Sequence, residues 1–200
     1  MNKQYFLNIL KNKRMKLRIT IAFIFTIFSF YDVYSQDGGL IYLGTINCSI
    51  ENAPNEIRPG YSIGAQGKIG SPGFFMSPGL VYQDFTINSF DKHRYVNDQP
   101  SYKMLKLTND AGFEYKIFKF IKFRFFVGAS LNYVMTIDTN DYGVDFDTLS
   151  DAYFSYNYGA GISIGFVTLD FKRDNSITDF YKNYEKKGIS FNCLNLGIQF

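Results

Sequence analysis

The chain has 200 residues with 21 basic and 18 acidic side chains, and aromatic residues make up 19% of it. Six of the basic residues but only one acidic residue precede residue 36, so residues 36–200 hold 15 basic and 17 acidic residues and a net charge of −2. This charge excludes a nucleic-acid-binding protein, and two cysteines are too few for a disulfide framework.

The N-terminal region has the three parts of a secretory signal peptide. Residues 1–18 are basic, the next run, "ITIAFIFTIFSF", is uncharged, and small residues follow in "YDVYSQ". The apolar run has 12 residues, fewer than the roughly 20 that a transmembrane helix needs. The sequence therefore predicts a cleaved signal peptide over 1–35 and a mature domain over 36–200. Met15 is an alternative start, because "MKLRITIAF" opens a complete signal on its own.

After the signal, the dominant pattern is a period of two. In "YFSYNYGAGISIG", apolar residues such as Tyr156 and Ile162 alternate with small or polar ones such as Asn157. Such alternation indicates a strand with one face in an apolar medium. The runs exceed the ~5–6 residues of a typical soluble strand and suit the ~9–11 of a strand crossing a bilayer. Eight strands are predicted, over Leu40–Ser49, Tyr61–Ile69, Phe74–Ile87, Tyr102–Ile117, Ile121–Ile137, Tyr153–Gly165, Val167–Arg173 and Ile189–Phe200.

The connections between these strands alternate between long and short. The first, third, fifth and seventh are long and polar, such as "NSFDKHRYVNDQPS". The second is only "GSPG", and the fourth and sixth are turns around Phe118–Phe120 and Gly165–Phe166. Long outer loops and short periplasmic turns are typical of outer-membrane barrels. A soluble barrel offers no reason for this order.

These features predict an all-β fold, an eight-stranded antiparallel up-and-down transmembrane β-barrel. In lipid every backbone donor and acceptor must be paired within the protein, so the sheet has to close on itself. Outward side chains must then be apolar, and inward ones fill a narrow lumen. The glycines on the predicted inward face suit this tight packing; they are Gly64, Gly112, Gly128, Gly159, Gly161 and Gly197.

Charged residues of both signs fall on the predicted inward face and form the candidate site. They are Lys68, Lys106, Asp110, Glu114, Lys122, Arg124, Asp170 and Lys172, with Lys116 as a further inward lysine. If the fourth turn centres near Lys119, Glu114 lies opposite Arg124 and forms a cross-strand ion pair with it. We expect these charges to neutralise one another and fill the lumen. The alternative is a charged, water-filled pore, which eight strands leave little room for.

Aromatic residues on the predicted outward face suit the girdles at the two membrane interfaces. They are Tyr42, Tyr61, Tyr82, Tyr115, Tyr133, Tyr156 and Phe171. Tyr and Phe must supply these girdles, because the chain has no tryptophan.

Two of the long loops hold residue types that carry catalytic or metal chemistry elsewhere. His93 is the only histidine and has Ser89 and Asp91 nearby, but a Ser–His site needs an oriented pair and a third group. The third long loop could gather Ca²⁺ with Asp138, Asp141, Asp145, Asp147 and Asp151. Its spacing lacks the EF-hand order, so a solvated acidic loop is favoured. No catalytic residue, cofactor or metal site is predicted.

The two cysteines lie on the first and last strands, which must pair to close the barrel. The predicted registers place Cys48 outward and Cys193 inward, so their Cβ vectors diverge. Although a disulfide is conceivable in an oxidising envelope, none is predicted.

Several stretches in order cover nearly all of the mature chain: "RPGYSIGAQGKIG", "FFMSPGLVYQ", "LKLTNDAGFEYKI", "FRFFVGASLNYVM", "YGAGISIGF" and "LNLGIQF". Their arrangement resembles the PorT-like family of small outer-membrane β-barrels. The resemblance implies an eight-stranded barrel that the general outer-membrane machinery inserts, and it implies no catalytic residues. The founding member is linked to protein secretion, a role that the resemblance does not carry over. The terminal strand also looks like the signal that barrel-insertion machinery reads, with Leu194, Leu196, Ile198 and Phe200 on one face.

The sequence therefore predicts a non-enzymatic integral outer-membrane barrel that reaches its place by signal-peptide export. Its expected partners are outer-membrane lipids, lipopolysaccharide and the insertion machinery, and its four outer loops contact surface partners or stabilise the membrane. Two alternatives remain, a lipid A-modifying enzyme that uses His93 and a small channel or secretion-associated barrel.

Overall fold

The structure, a computed structural model, describes residues 38–50, 59–71, 73–86, 101–138, 149–180 and 188–200. All of these ranges belong to one compact unit, Ser35–Phe200. The predicted signal peptide over 1–35, the loop residue His93, and Asp141, Asp145 and Asp147 lie outside the described residues. Within the described ranges, no helix is long and apolar enough to span a membrane.

Eight antiparallel strands form one closed sheet. They are β1 (Gly38–Ile50), β2 (Pro59–Ser71), β3 (Phe74–Thr86), β4 (Ser101–Phe118), β5 (Ile121–Ile137), β6 (Ala152–Ile164), β7 (Val167–Ser176) and β8 (Ile189–Gln199). Each strand pairs with its sequence neighbours, and β8 pairs with β1 to close the barrel. The predicted eight-stranded antiparallel up-and-down barrel is therefore confirmed.

The strand ends lie within three residues of the predicted ones. The largest difference is at β7, which continues past Arg173 to Ser176. The short turns are where the sequence places them, and the turn between β6 and β7 consists of Gly165 and Phe166. Gly165 has a φ of +62°, a left-handed conformation that glycine adopts without steric cost.

The strands are staggered around the barrel. If each residue is followed to its partner on the next strand, the path that starts at Leu40 on β1 goes once around the barrel and returns to β1 at Ile50. The displacement is ten residues. Such a stagger requires the strands to tilt against the barrel axis. The lumen of an eight-stranded barrel is also narrow, so side chains of strands that are not neighbours can meet across it.

Side chains alternate between the lumen and the outer surface, and the outer surface is the apolar one. Phe113, Val127 and Leu196 point outward and are 65%, 63% and 59% exposed, whereas Asn132 and Thr168 are buried inside. Folding in water alone would bury the apolar face, so this arrangement fits a barrel whose outer surface contacts an apolar medium.

The predicted inward and outward faces of β1 are exchanged, as if the strand were shifted by one residue. Tyr42 and Cys48 point into the lumen rather than outward, and Ile41 and Leu43 take the outer face. The physical reason is that apolar residues occupy both alternating sets in "LIYLGTINCS", so periodicity alone does not select the inward face. The Tyr42 ring fills the space beside Gly64, its register partner on β2.

Candidate functional site: the barrel interior

The barrel has two different ends. The short turns and the C-terminal Phe200 lie at one, here called the turn end, and the bases of the long connections lie at the other, the loop end. The lumen holds an ionic layer made of Lys68, Lys106, Asp110, Glu114, Lys122, Arg124, Asp170, Lys172 and Asp174. At the loop end it holds an apolar plug made of Ile46, Phe85, Tyr102, Met104, Val134, Leu149, Tyr153, Phe180, Ile189, Phe191 and Cys193.

Lys172 and Asp110 form the most extensively hydrogen-bonded pair of the ionic layer. Lys172 Nζ donates to the two carboxylate oxygens of Asp110 at 3.1 and 2.9 Å, and to Thr108 Oγ1 at 3.2 Å. Gln66 Nε2 donates to the same carboxylate at 3.2 Å. Both charges are buried, and each is compensated, as buried charges must be. This pair links β4 to β7 across the lumen.

Arg124 pairs with Asp170 rather than with the predicted partner. Its Nη2 donates to both oxygens of Asp170 at 2.6 and 2.8 Å. The predicted register is right, because Glu114 and Arg124 do lie opposite each other. The predicted ion pair between them is wrong, since Arg124 reaches across the narrow lumen to β7 instead of along the sheet to β4.

Glu114 instead forms ion pairs with two lysines at the turn end of the lumen. Lys68 Nζ lies 2.5 Å from one of its carboxylate oxygens and Lys122 Nζ lies 3.2 Å from the other. This triad carries one net positive charge. The Lys122 side chain is 31% exposed, so the charges here remain partly in contact with solvent, unlike those nearer the centre.

Lys106 and Asp174 form the most buried pair, with side chains only 3% and 1% exposed. Lys106 Nζ donates to Asp174 Oδ2 and lies 6.0 Å from the centre of the Phe191 ring, directly against the apolar plug. Sequence reasoning missed Asp174 because it ended the seventh strand at Arg173. The alternation of Asp170, Lys172 and Asp174 was the signal that could have found it.

The apolar plug closes the loop end of the described lumen. Leu149 and Phe180 come from the long connections rather than from strands, and both are 0% exposed. The Phe180 ring meets the Tyr153 ring edge-on at 5.4 Å and the Tyr102 ring at 6.4 Å. The two connections also bind each other, since Ser150 N donates to Phe180 O at 2.9 Å. The described ends of the two connections are therefore hydrogen-bonded to each other over the lumen.

Little free space remains inside the ionic layer. A cavity of about 20 Å³ lies among Asp110, Arg124, Asp170 and Lys172, which is room for about one water molecule. At the turn end, an open vestibule of about 340 Å³ is lined by residues that include Lys68, Glu114 and Lys122. The described lumen thus opens toward the turn end and narrows to a water-sized void.

All eight charged residues of the candidate site lie in the ionic layer, and the structure adds Asp174 to them. Lys116, the further inward lysine, is exposed at the turn end. The residues of the candidate insertion signal share the outer face, where Leu194, Leu196, Ile198 and Phe200 are 49%, 59%, 55% and 73% exposed.

The final residue takes part in closing the barrel. Phe200 N donates to Gly39 O at 3.0 Å, and Gly39 N donates to Phe200 O at 2.8 Å. A Cβ atom on Gly39 would lie 2.6 Å from Phe200 Cζ, so the ring occupies space that only a glycine leaves free. The seam between β1 and β8 is therefore paired to the last residue of the chain.

Most of the predicted girdle lies on the outer surface. Tyr61, Tyr115, Tyr156 and Phe171 are exposed, with Tyr82 and Tyr133 half-buried on the same face. Tyr42 is the exception, because of the β1 register described above. In the part of the chain that the structure describes, no group of three or more His, Cys, Asp or Glu side chains could hold a metal ion.

Both cysteines are free thiols, and both point inward. Cys193 lies opposite Ile46, and Cys48 lies opposite Phe191, so the two occupy diagonal positions on neighbouring strands. Diagonal neighbours stand about 7–8 Å apart, beyond the Cα separation that a disulfide accepts. This distance, and not diverging Cβ vectors, keeps the thiols apart.

The solved structures that resemble this chain are small barrels. Neisserial surface protein A matches with a TM-score of 0.55 at 12% identity, covering 82% of this chain and 97% of that one. The outer membrane enzyme PagL matches with a TM-score of 0.51 at 12% identity, covering 78% and 98%. Ail of Yersinia pestis gives a TM-score of 0.43 at 10% identity, covering 83% and 99%. No family model matches the chain, and no curated protein matches it.

These likenesses establish the fold and nothing finer. The chain has the fold of the small eight-stranded outer-membrane barrels. An enzyme shares this fold, so the fold does not decide between catalysis and other roles. The contents of the lumen and the character of the outer surface carry the functional argument.

Proposed function

We propose that this protein is a non-enzymatic integral outer-membrane barrel, a sealed scaffold that presents its four long connections at the cell surface. The observation that carries the proposal is a continuous apolar outer surface around a polar, ion-paired lumen. Large apolar side chains are exposed on all eight strands. A bilayer is the medium in which such a surface is stable, because it covers apolar area that water would not.

The filled lumen favours a scaffold over a channel. Ion conduction requires a continuous water path, whereas here the ionic layer leaves about 20 Å³ and the apolar plug lies above it. The four acids of the layer, three of them buried, are each bound to a cation, so no described carboxylate of the layer is left to attract passing cations. A small channel or secretion-associated barrel is therefore the less favoured function.

The proposed orientation places the turn end in the periplasm and the loop end outside the cell. Short turns face the periplasm in barrels of this class, and the seam that ends at Phe200 lies at that end. Export by a signal peptide over 1–35, membership of the PorT-like family and insertion through the terminal strand belong to the same proposal. Its partners would be lipids, lipopolysaccharide and the insertion machinery.

The test is to purify the protein from outer membranes and measure heat-dependent gel migration, surface cleavage and conductance together. We expect the protein band to run at different positions before and after boiling. We also expect cleavage of the loops by protease on intact cells, and no conductance in a planar bilayer. Recovery in the soluble periplasmic fraction would refute the membrane proposal. Steady conductance would refute the sealed lumen, and a changed lipid A mass that His93→Ala abolishes would establish the enzyme instead.

A further inference from the structure

The positive charge of the ionic layer is concentrated at the turn end of the lumen. The layer holds five cations and four carboxylates. Three of its ion pairs join one cation to one acid, namely Lys106–Asp174, Arg124–Asp170 and Lys172–Asp110. The excess therefore lies at the turn end, where the single carboxylate of Glu114 is shared by Lys68 and Lys122.

Lys116 adds a second positive charge at the same end. It lies opposite Lys122 in the register of β4 and β5, and it is two residues from Glu114, so it shares the lumen face of β4. Lys116 is exposed, and no ion pair joins it to another described residue. Two lysines directly opposite each other repel, and an anion bound between them relieves that repulsion.

These charges border an open space. The vestibule of about 340 Å³ has Lys68, Glu114, Lys122 and Gln199 in its lining, and small-molecule sites have volumes of roughly 300–1,000 Å³. The vestibule lies inside the barrel wall, so it takes its ligand from water rather than from the acyl chains outside. Phe200 also lines it, and a terminal carboxylate there offsets at most one of the two excess charges.

A further cationic donor lies below the vestibule. Lys68 and Gln199 line both the vestibule and the water-sized void, and Arg124 lines the void. Arg124 is 5% exposed. Its Nη2 donates to Asp170, but its Nε has no hydrogen-bond partner among the described residues. Buried donors are normally satisfied, so this one calls for an acceptor oxygen of water or of a ligand.

We propose that the vestibule binds water-soluble ligands that carry a phosphate group, held between Lys68, Lys116 and Lys122. Lysine binds phosphate as a point charge, whereas a carboxylate is matched best by the fork of an arginine. The fork of Arg124 already holds Asp170. A phosphate monoester carries about −1.5 to −2 charges near pH 7, enough to neutralise the excess. That the periplasm supplies this ligand rests on the proposed function, which sets the orientation of the barrel.

The experiment observes the lysines directly. The barrel is purified from outer membranes into a non-ionic detergent that carries no phosphate. Its accessible lysines are methylated with a carbon-13 label, which keeps their charge and gives each lysine an NMR signal. Inorganic phosphate, methyl phosphate and acetate are then titrated at one ionic strength, so that screening stays constant. We expect both phosphates to shift the signals of Lys68, Lys116 and Lys122. Acetate has fewer charges and should bind roughly tenfold more weakly.

Two substitutions at the vestibule should change the affinity for phosphate in opposite directions. Lys116→Gln removes a lysine that forms no ion pair with a described residue, and binding should weaken roughly fivefold. Glu114→Gln removes the carboxylate that competes for Lys68 and Lys122, so binding should tighten by a similar factor. A purely structural role of these residues would not produce tighter binding in the second variant.

The matched control makes the same charge change at the other end of the barrel. Lys103 is exposed near the loop end, where its Nζ lies 3.8 Å from Asp138, and Lys103→Gln should leave the affinity unchanged. Unchanged affinity in Lys116→Gln, an equal loss in Lys103→Gln, or acetate binding as tightly as phosphate would overturn the inference. Heat-dependent migration of every variant is measured in the same detergent. Loss of that migration in the unsubstituted protein contradicts the proposed function, whereas a folded barrel that binds no phosphate contradicts only this inference.

Discussion

The two zones of the lumen have opposite character. The ionic layer is polar and lies behind outward residues that are apolar, such as Leu169 and Leu196. The apolar plug lies at the loop end, where outward positions on several strands turn polar. These outward polar positions include Asn47, Asp84, Lys103, Arg173, Asn175 and Asn192. The arrangement is thus reversed within a single strand: on β8, Phe191 lies inside and Asn192 outside at the loop end, whereas Asn195 lies inside and Leu196 outside nearer the turn end.

This difference shows where the surroundings of the wall change. Where the wall contacts lipid, its outer face must be apolar, and the lumen takes the polar side chains. Where the wall leaves lipid for water, its outer face is polar, and the lumen is packed like the core of a soluble barrel. In the proposed membrane location, the boundary between the ionic layer and the apolar plug, at Lys106 and Asp174, therefore indicates the level at which β4 and β7 reach the surface of the bilayer.

The largest effect should come from breaking a pair in the ionic layer. Lys172→Met leaves the buried Asp110 carboxylate without its cation, and an uncompensated buried charge costs about 3–5 kcal/mol. We expect the free energy of unfolding to fall by that amount. Urea titration of the folded barrel in micelles, followed by the shift between folded and unfolded gel bands, measures it.

The control for this prediction removes both charges together. The double variant Lys172→Met/Asp110→Asn keeps a side-chain acceptor for Thr108, whose Oγ1 donates to Asp110 at 3.0 Å. It should recover most of the lost free energy, because replacing both members of a buried pair is far less costly than removing one. Equal destabilisation in the single and double variants would mean that packing, not charge, makes this layer sensitive.

A smaller effect should come from the apolar plug. Phe180 is fully buried but follows the end of β7 at Ser176, so its truncation weakens the packing of the plug and leaves the pairing of the eight strands in place. We expect Phe180→Ala to favour opening of the plug by about 1–2 kcal/mol, which raises the open population roughly 5–30-fold. Maleimide labelling of Cys193, which is 4% exposed, reports that opening in the folded protein.

The matched variant for the plug is Ile177→Ala in the same connection. Ile177 is 65% exposed, so its truncation should leave the labelling rate of Cys193 unchanged. Faster labelling in both variants would show that the connection loosens generally. An unchanged rate in Phe180→Ala would show that the strands, rather than the connections, seal the loop end.

The sequence predicted the parts of the fold in which one physical rule acts alone. On β5 and β6 a single alternation of apolar and polar residues specifies both the strand and its inward face, and the predicted ends differ by at most one residue. The rule fails on β1, where Ile41 and Tyr42 are both apolar and packing beside Gly64 decides the register.

The sequence predicted which charged residues lie in the lumen, apart from Asp174, but not which of them form ion pairs. Alternation identifies Arg124 and Glu114 as inward residues, and the turn correctly sets them opposite each other. Which charges meet depends on distances across the lumen, and these follow from stagger and tilt rather than from local sequence. The sequence did not predict the apolar plug, because two of its residues, Leu149 and Phe180, come from connections that have no periodicity.

The smallest effect should come from the turn end of the same ionic layer, and it separates charge from burial. Lys122→Gln removes one positive charge, as Lys172→Met does, but Lys122 is 31% exposed and Glu114 keeps Lys68 at 2.5 Å. Partly exposed pairs contribute about 0.2–1 kcal/mol, so the free energy of unfolding should fall by less than about 1 kcal/mol in the same urea titration. A loss as large as that of Lys172→Met would mean that lipid shields the whole layer equally. A small loss would mean that solvent reaches the vestibule and that the strongly coupled part of the layer begins at Asp110 and Arg124.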